Sequence, residues 1–202
     1  MDYRTLFQEQ AQFDAKFKDI PQKERIEKKF LGLIVELGEA ANETPKDFKY
    51  WSKTQTPSSI KNARHYAELY NQKLEEPLED ELLEELSDKF HFILSLGLEL
   101  NVVDHAMPFL EMYGPTETDK PVADLFMDLV ANIAYLHQSW RLQERIKKEL
   151  DIDTQDTSMV TDYVSVIYTF FQLVGQLGYG KRLEEAYHIK HKKNEMRQVQ
   201  GY

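Results

Sequence analysis

The 202-residue sequence contains no cysteine, which excludes disulfides, thiolate metal ligands and cysteine nucleophiles. It also lacks any apolar run long enough to span a bilayer, and its polar N-terminus, MDYRTLFQEQ, is unlike a signal peptide. The net charge of −10 argues against a duplex-binding face, which needs cations to displace counterions. We therefore expect a cytoplasmic protein that binds neither nucleic acid nor membranes.

Proline and glycine are scarce, with seven and eight residues respectively, and the sequence has no Asn-Gly or Asp-Gly hairpin dipeptide. Apolar periodicity predicts helices at 3–18, 22–43, 58–74, 78–101, 122–150, 157–178 and 181–199. The segments 44–57 and 103–120 remain as the longest loops. We predict an all-α fold in which residues 1–202 form a single helical-bundle domain built around a four-helix core.

Two carboxylates interrupt the apolar segment VELGEAAN at 35–42. The predicted helix carries an apolar stripe formed by Phe30, Ile34, Leu37 and Ala41. Glu36 and Glu39 fall beside apolar or small residues, whereas an ordinary surface helix keeps its carboxylates opposite its apolar stripe. Alone, this Glu-x-x-Glu spacing more often belongs to a solvated helix face, because glutamate is a good helix former.

A second pair of carboxylates follows in PLEDELLEELSDKFHFILSLGLELN at 77–101. Glu85 lies on the shoulder of this helix's apolar stripe and Asp88 one turn further on, whereas Glu84 points away as a bystander. If the two helices pack together, four carboxylates converge, and their mutual repulsion calls for a cation. A set of oxygen ligands without nitrogen or sulfur favours Mg²⁺, with Mn²⁺ as a possible substitute.

The C-terminal segment AYHIKHKKNEMRQVQGY at 186–202 is basic, unlike the chain as a whole. On a helix, Lys190, Asn194 and Arg197 share one face. Such a row suits a polyphosphate, because arginine offers paired donors and lysine a mobile point charge. By itself the segment is more often a solvated tail, but next to an acidic metal site it predicts the second half of a nucleotide site.

Taken together, these motifs resemble those of the dimeric all-α dUTPases. The matching blocks are VELGEAANE, FKYWSK, EELSDKFHFILSLGLEL and Y-x-x-K-x-x-x-N-x-x-R-Q-x-x-G-Y at 187–202, in family order. That family belongs to the all-α NTP pyrophosphohydrolases, which share the ExxE…ExxD metal motif with MazG-like proteins. The metal motif alone indicates the superfamily, whereas FKYWSK and the tail are more specific to dUTPases. The stretch NETPKDFK departs from the family's N-E-x-R-x-F-K, so no arginine contact is predicted there.

The resemblance implies a homodimeric enzyme that uses Mg²⁺ to hydrolyse dUTP to dUMP and pyrophosphate. It implies metal ligands at Glu36, Glu39, Glu85 and Asp88. Glu36 would also orient and deprotonate the attacking water. The uracil end would be lined by Trp51, His91 and Gln10, and Lys53 beside Trp51 favours an anionic ligand. Phosphate and sugar contacts would come from Lys190, Asn194, Arg197 and Tyr202.

Other interpretations remain open at the level of sequence. His91 is equally well explained as an ordinary, partly exposed histidine, and the metal motif also fits a pyrophosphohydrolase with another nucleotide preference. A di-iron carboxylate bundle would use Glu-x-x-His pairs, a spacing found at Glu185–His188 and, with Asp in place of Glu, at Asp88–His91. A non-catalytic helical interaction protein would explain the bundle but not the carboxylates beside apolar faces.

Overall fold

The computed structural model describes residues 1–51, 57, 81–150 and 157–199, and every regular element among them is helical. The helices are α1 (Tyr3–Asp14), α2 (Gln22–Glu43), α3 (Pro45–Phe48), α4 (Glu81–Glu99), α5 (Val103–Leu110), α6 (Val122–Leu150), α7 (Thr157–Gln176) and α8 (Leu183–Val199). A short 3₁₀ turn, Ala15–Phe17, follows α1. The predicted all-α fold is confirmed. Within the described ranges, no helix combines the length and apolar character needed to cross a membrane.

Most predicted helices agree with these bounds, but the two predicted loops contain helices. The prediction of 103–120 as a loop is wrong for residues 103–110, because α5 continues through Pro108 and buries Ala106 and Leu110 against the core. The segment 44–57 begins with α3, whose first position is Pro45, where a missing N–H is tolerated. The predicted helix at 58–74 lies outside the described residues.

Helix α4 is the centre of the bundle. The two most extensive helix pairings are α2 with α4 and α6 with α7, and α4 also contacts α1, α7 and α8. Its apolar side chains are therefore buried on several sides: Leu83, Leu86, Phe90, Ile93, Leu94 and Leu96. A helix that is apolar around most of its circumference belongs at the centre of a bundle. One hydrophobic cluster extends from Tyr3 in α1 to Tyr187 in α8.

The buried face of α2 is rotated relative to the predicted stripe. Its buried residues are Ile26, Phe30, Leu33, Leu37 and Ala40, whereas Ile34 is 39% exposed. The reason is a close contact with α4, in which a Cβ added at Gly32 would lie only 2.7 Å from Cζ of Phe92. Helix α4 thus packs against the side of α2 that carries Gly32 and Glu36, and Glu36 becomes half-buried.

A partly buried ionic cluster joins α1, α2 and α4. Lys29 Nζ lies 2.9 Å from Oδ2 of Asp14 and 2.8 Å from Oε1 of Glu99. Arg25 also holds Glu99 through two hydrogen bonds, of 2.6 and 2.9 Å. Paired, charge-assisted contacts of this kind fix the relative positions of the helices that carry them.

The outer surface of α6 carries exposed apolar residues at helical spacing. This outer α6 stripe consists of Met127, Val130, Ala131, Ala134 and Tyr135. Met127 is 67% exposed. The opposite side of α6 packs into the core through Leu125, Leu129 and Ile133. Helix α6 is therefore apolar on two faces, only one of which is covered in the described structure.

Replacing Gly97 by alanine should destabilise the protein, because the new Cβ would lie 2.5 Å from Cζ of Tyr163. The Tyr163 ring is fully buried and its hydroxyl donates to the carbonyl of Ile93 (3.1 Å), so it has little freedom to move away. Urea unfolding should show a loss of about 1–3 kcal/mol. Gly38→Ala is the control, because its Cβ would enter open space on α2 and should stabilise by about 0.5–1 kcal/mol. Equal stability of the two variants would contradict this packing of α4 on α7.

Candidate active site

Three carboxylates meet between α2 and α4. Glu36, Glu39 and Glu85 each offer one oxygen atom, and these atoms all lie within 4.8 Å of one another. Glu36 and Glu85 are half-buried, whereas Glu39 is exposed. The Oε2 atom of Glu85 is buried without a hydrogen-bond partner. An unpartnered oxygen within a group of carboxylates fits a hard divalent cation, which prefers oxygen ligands.

Burial changes the protonation of this group. It raises the pKa of Glu85 to about 8, and a hydrogen bond to Glu36 adds to the shift. Without a metal ion, Glu85 is therefore the protonated partner that donates to Glu36, whose own pKa is also raised, mainly by burial. Below them, the fully buried Lys89 donates to the Glu85 carbonyl (2.9 Å), and burial lowers the pKa of this lysine to about 8. The site thus carries more negative charge than its surroundings stabilise.

Asp88 faces α8 instead of joining the other three carboxylates. Its Oδ2 lies 2.6 Å from Nζ of Lys190, and the same Nζ lies 2.6 Å from Oε1 of Glu84. Lys193 contacts that Glu84 oxygen at 2.8 Å. Glu84 thus lies apart from the three grouped carboxylates, but it is paired with two lysines of α8, which its helical phase did not indicate. Although burial acts to raise the pKa of Glu84, hydrogen bonds from both lysines lower it. These contacts hold the basic helix α8 beside the acidic group.

Three near-parallel rings stack where α4 meets α8. His91 lies 4.1 Å from Tyr187 and 5.7 Å from His191, measured between ring centroids. Nδ1 of His91 is 2.8 Å from Oε1 of Gln10, whereas its Nε2 is buried without a partner. Burial lowers the pKa of His91 to about 3, so the imidazole is neutral. The interpretation of His91 as a partly exposed histidine is wrong, since only 8% of it is exposed.

Comparison with known proteins identifies the family. A family model described as dUTPase matches residues 2–70 and 69–202. The chain belongs to the dUTPase family. A search of curated proteins and a search of solved structures gave no significant match. The protein is thus a dUTP diphosphatase, an enzyme that hydrolyses dUTP to dUMP and pyrophosphate. The resemblance inferred from the four motif blocks is confirmed.

The remaining predicted dUTPase site residues lie in several places. Asn194 is half-buried and Arg197 exposed on α8, the helix that carries Lys190. Trp51 is 65% exposed, and its ring contacts are edge-on with Phe48 and Tyr50. Lys53 and Tyr202 lie outside the described residues. The predicted residues therefore form two groups in the structure: the three carboxylates between α2 and α4, and the Gln10–His91 pair. Helix α8 packs on α4, and its lysines contact Asp88 and Glu84.

Several residues in and around the site of this dUTPase had not been predicted. Tyr187 opens the tail motif, and His191 follows one turn later on the same helix face, so helical spacing could have indicated both. Asp14 lies one turn after Gln10 and hydrogen-bonds it at 2.9 Å. Nothing in the sequence indicated that Lys89 is buried, because a lysine after an aspartate on an acidic helix is usually solvated.

The di-iron interpretation does not fit the dUTPase structure. Glu185 is exposed, and Nδ1 of His188 lies 3.0 Å from Oε2 of Glu9. Nδ1 of His91 contacts Gln10. Neither histidine contributes to the acidic group between α2 and α4, whose potential ligand atoms are carboxylate oxygens.

Without metal, Glu85→Gln should stabilise this dUTPase and Glu84→Gln should destabilise it. The folded-state pKa of Glu85 is raised from 4.5 to about 8, so its contribution to stability is complete below pH 4.5 and is lost as the pH rises through 8. Glutamine mimics the protonated form, so the advantage of Glu85→Gln over wild type should grow between pH 5 and 8. After allowance for solvent screening we expect about 1–2 kcal/mol at pH 8.

Glu84→Gln is the matched control for this measurement. The pKa of Glu84 is lowered, so its lysine contacts act throughout pH 5–8, and their loss should cost roughly 1 kcal/mol. Urea unfolding in EDTA at several pH values measures both variants. If Glu85→Gln is no more stable than wild type at pH 8, the placement of Glu85 in the acidic group is incorrect.

Proposed function

We propose that this dUTP diphosphatase requires Mg²⁺, held by Glu36, Glu39, Glu85 and Asp88. The observation that carries the proposal is the approach of three carboxylate oxygens within 4.8 Å, together with the buried, unpartnered Oε2 of Glu85. Asp88 lies one turn beyond Glu85 on α4, so it can join the group once Lys190 releases it. Mn²⁺, which also accepts oxygen ligands, is the expected substitute.

A bound Mg²⁺ would polarise the phosphate and neutralise the charge that develops during hydrolysis. The chain itself supplies the base. Glu36 is half-buried within the group that it forms with Glu39 and Glu85, and it accepts a hydrogen bond from Glu85 when no metal is bound. A carboxylate in this accepting role can take a hydrogen bond from water and remove its proton. We therefore assign Glu36 to orient and deprotonate the attacking water.

Two further groups are proposed to hold the nucleotide. His91 and Gln10 lie at the uracil end, where the unpartnered Nε2 of the neutral imidazole is available to the base. The cations of α8 lie at the phosphate end: Lys190 already contacts two carboxylates, and Asn194 and Arg197 follow it along the helix. The family pattern adds Trp51, Lys53 and Tyr202 as predicted contacts.

The organisation of the enzyme is also proposed. One hydrophobic cluster joins the chain from Tyr3 to Tyr187, which supports a single domain over residues 1–202. The net charge of −10 supports a free nucleotide as substrate, and not nucleic acid or an anionic membrane. Because dUTP belongs to the intracellular nucleotide pool, we propose that the enzyme acts in the cytoplasm.

We further propose a homodimer in which a second copy covers the outer α6 stripe. Contiguous exposed apolar surface on a folded protein commonly marks an interaction site. The stripe follows the i, i+3, i+4, i+7 spacing with which a helix presents one face to a partner helix. A second copy is the occupant because the sequence resembles the dimeric dUTPases.

Hydrolysis of dUTP should require Mg²⁺ or Mn²⁺ and should stop when EDTA is added. Mg²⁺ should also raise the melting temperature of the wild type, because it binds the folded state preferentially. The gain is about 2.7 kcal/mol at a hundredfold excess over Kd. This shift should shrink in Glu39→Gln and Glu85→Gln, while Glu36→Gln should lower kcat by roughly 10²–10⁴.

The controls for this experiment are Glu84→Gln and two other nucleotides. Glu84→Gln lies outside the proposed ligand set and should keep the Mg²⁺-dependent shift. Unchanged turnover in EDTA would contradict the metal proposal. Equal kcat/KM values for dUTP, dCTP and dTTP would contradict the proposed uracil end but would leave the metal site intact.

Met127→Glu should weaken the dimer, because it places a charge in the outer α6 stripe. Light scattering after gel filtration should show a dimer for the wild type and a monomer for the variant at the same concentration. Met112→Glu is the matched control, since Met112 is 74% exposed but follows α5, outside the stripe. A wild-type monomer, or equal dissociation of both variants, would contradict the proposed interface.

A further inference from the structure

A chain of hydrogen bonds leads from the ionic cluster to His91. The Oδ2 atom of Asp14 contacts Lys29 Nζ at 2.9 Å and also accepts from Oγ of Ser95. The Oδ1 atom of Asp14 accepts from Nε2 of Gln10 at 2.9 Å. The other end of the Gln10 amide, Oε1, lies 2.8 Å from Nδ1 of His91. Three helices, α1, α2 and α4, therefore contribute to one connected path.

The chemistry of the groups gives this path a direction. The Asp14 carboxylate, paired with Lys29, can only accept, so the Gln10 amide must turn its NH₂ group toward Asp14. Its oxygen then faces His91, and because an amide oxygen can only accept, Nδ1 of His91 must carry the proton. Tyr187 Oη lies 3.3 Å from both the same Gln10 oxygen and the carbonyl oxygen of Leu6, so its single proton can be donated to either acceptor, which is consistent with this orientation. The remaining nitrogen of His91, Nε2, is then a bare acceptor.

We propose that Asp14 is a positioning residue for base selection, which fixes the tautomer of His91 so that Nε2 accepts a hydrogen bond. Nε2 is buried without a partner on a side chain that is only 8% exposed. A base with an N–H at ring position 3, as in uracil, satisfies this acceptor. Cytosine presents an unprotonated nitrogen at that position and leaves two acceptors facing each other. The inference rests on the proposed placement of the base at His91.

Thymine provides an internal control, because it carries the same ring N–H as uracil. The Asp14 path therefore selects against cytosine and has no effect on the choice between uracil and thymine. A general loss of site geometry would not change the preference for dUTP over dCTP while leaving the preference for dUTP over dTTP unchanged.

Asp14→Asn should exchange the donor and acceptor roles in the hydrogen bonds that join residue 14, Gln10 and His91. If the asparagine oxygen keeps the contacts with Lys29 and Ser95, its NH₂ group faces Gln10, whose amide must then turn its own NH₂ toward His91. The proton of His91 moves to Nε2, which becomes a donor suited to cytosine. The ratio of kcat/KM for dUTP to that for dCTP should fall by about tenfold or more. The ratio for dUTP to dTTP should stay unchanged.

Two control variants separate this effect from simpler ones. Lys29→Met removes the ion pair with Asp14 but leaves the Asp14–Gln10 hydrogen bond, so it should lower stability and preserve both ratios. Glu9→Gln makes the same carboxylate-to-amide change on α1, against His188 (3.0 Å), and should preserve both ratios. A fall in the dUTP to dCTP ratio in either control would show that the effect is not specific to Asp14.

The tautomer can be measured without substrate by long-range ¹H–¹⁵N NMR of the imidazole rings, with His91 assigned by comparison with His91→Gln. We expect the proton on Nδ1 in the wild type and on Nε2 in Asp14→Asn. A wild-type proton on Nε2 overturns the inference even if the variant fails to fold, and so does an unchanged tautomer in a folded variant. If the tautomer switches in Asp14→Asn but the dUTP to dCTP ratio stays the same, the proposed placement of the base at His91 is wrong, and the inference that rests on it fails.

Discussion

The close contact between α2 and α4 determines most of the site. Gly32 has no Cβ, so the ring of Phe92 can approach the backbone of α2 and the two helices can pack closely. This contact turns Glu36 toward α4, where it meets Glu85 in a half-buried position. Burial then raises the pKa of both groups, because the carboxylates lose water that the helices do not replace. The packing that stabilises the bundle therefore creates the charge imbalance that a cation would correct.

The two ends of the chain complete what α2 and α4 begin. Helix α1 supplies Gln10, whose amide reaches His91, and α8 supplies Tyr187, whose ring stacks on the same imidazole. Tyr187 is also fully buried in the core, so the proposed base end of the site and the stability of the bundle depend on the same side chain. The residues of α1, α2 and α8, which are far apart in sequence, thus form one site only when all three helices pack against α4.

The sequence predicted the helices and the carboxylate pairs because both depend on local spacing. It could not predict the rotation of α2, since apolar periodicity alone gives Ile34 and Leu33 similar weight, and only the contact at Gly32 decides between them. Nor could it predict the partners of Glu84, because these lysines come from a helix about 100 residues later. Helix α5 was missed because Pro108 predicts a break, which packing of Ala106 and Leu110 overrides.

Lys190 is shared by two carboxylates, only one of which, Asp88, is a proposed metal ligand. In the described structure its ammonium lies 2.6 Å from both Asp88 and Glu84. If Asp88 became a metal ligand, as we propose, Lys190 would lose one of these partners, and its freed hydrogen-bonding capacity would be available to a phosphate. Cation and nucleotide binding would then be cooperative through a single side chain. By thermodynamic reciprocity, the factor by which the metal tightens nucleotide binding equals the factor by which the nucleotide tightens metal binding.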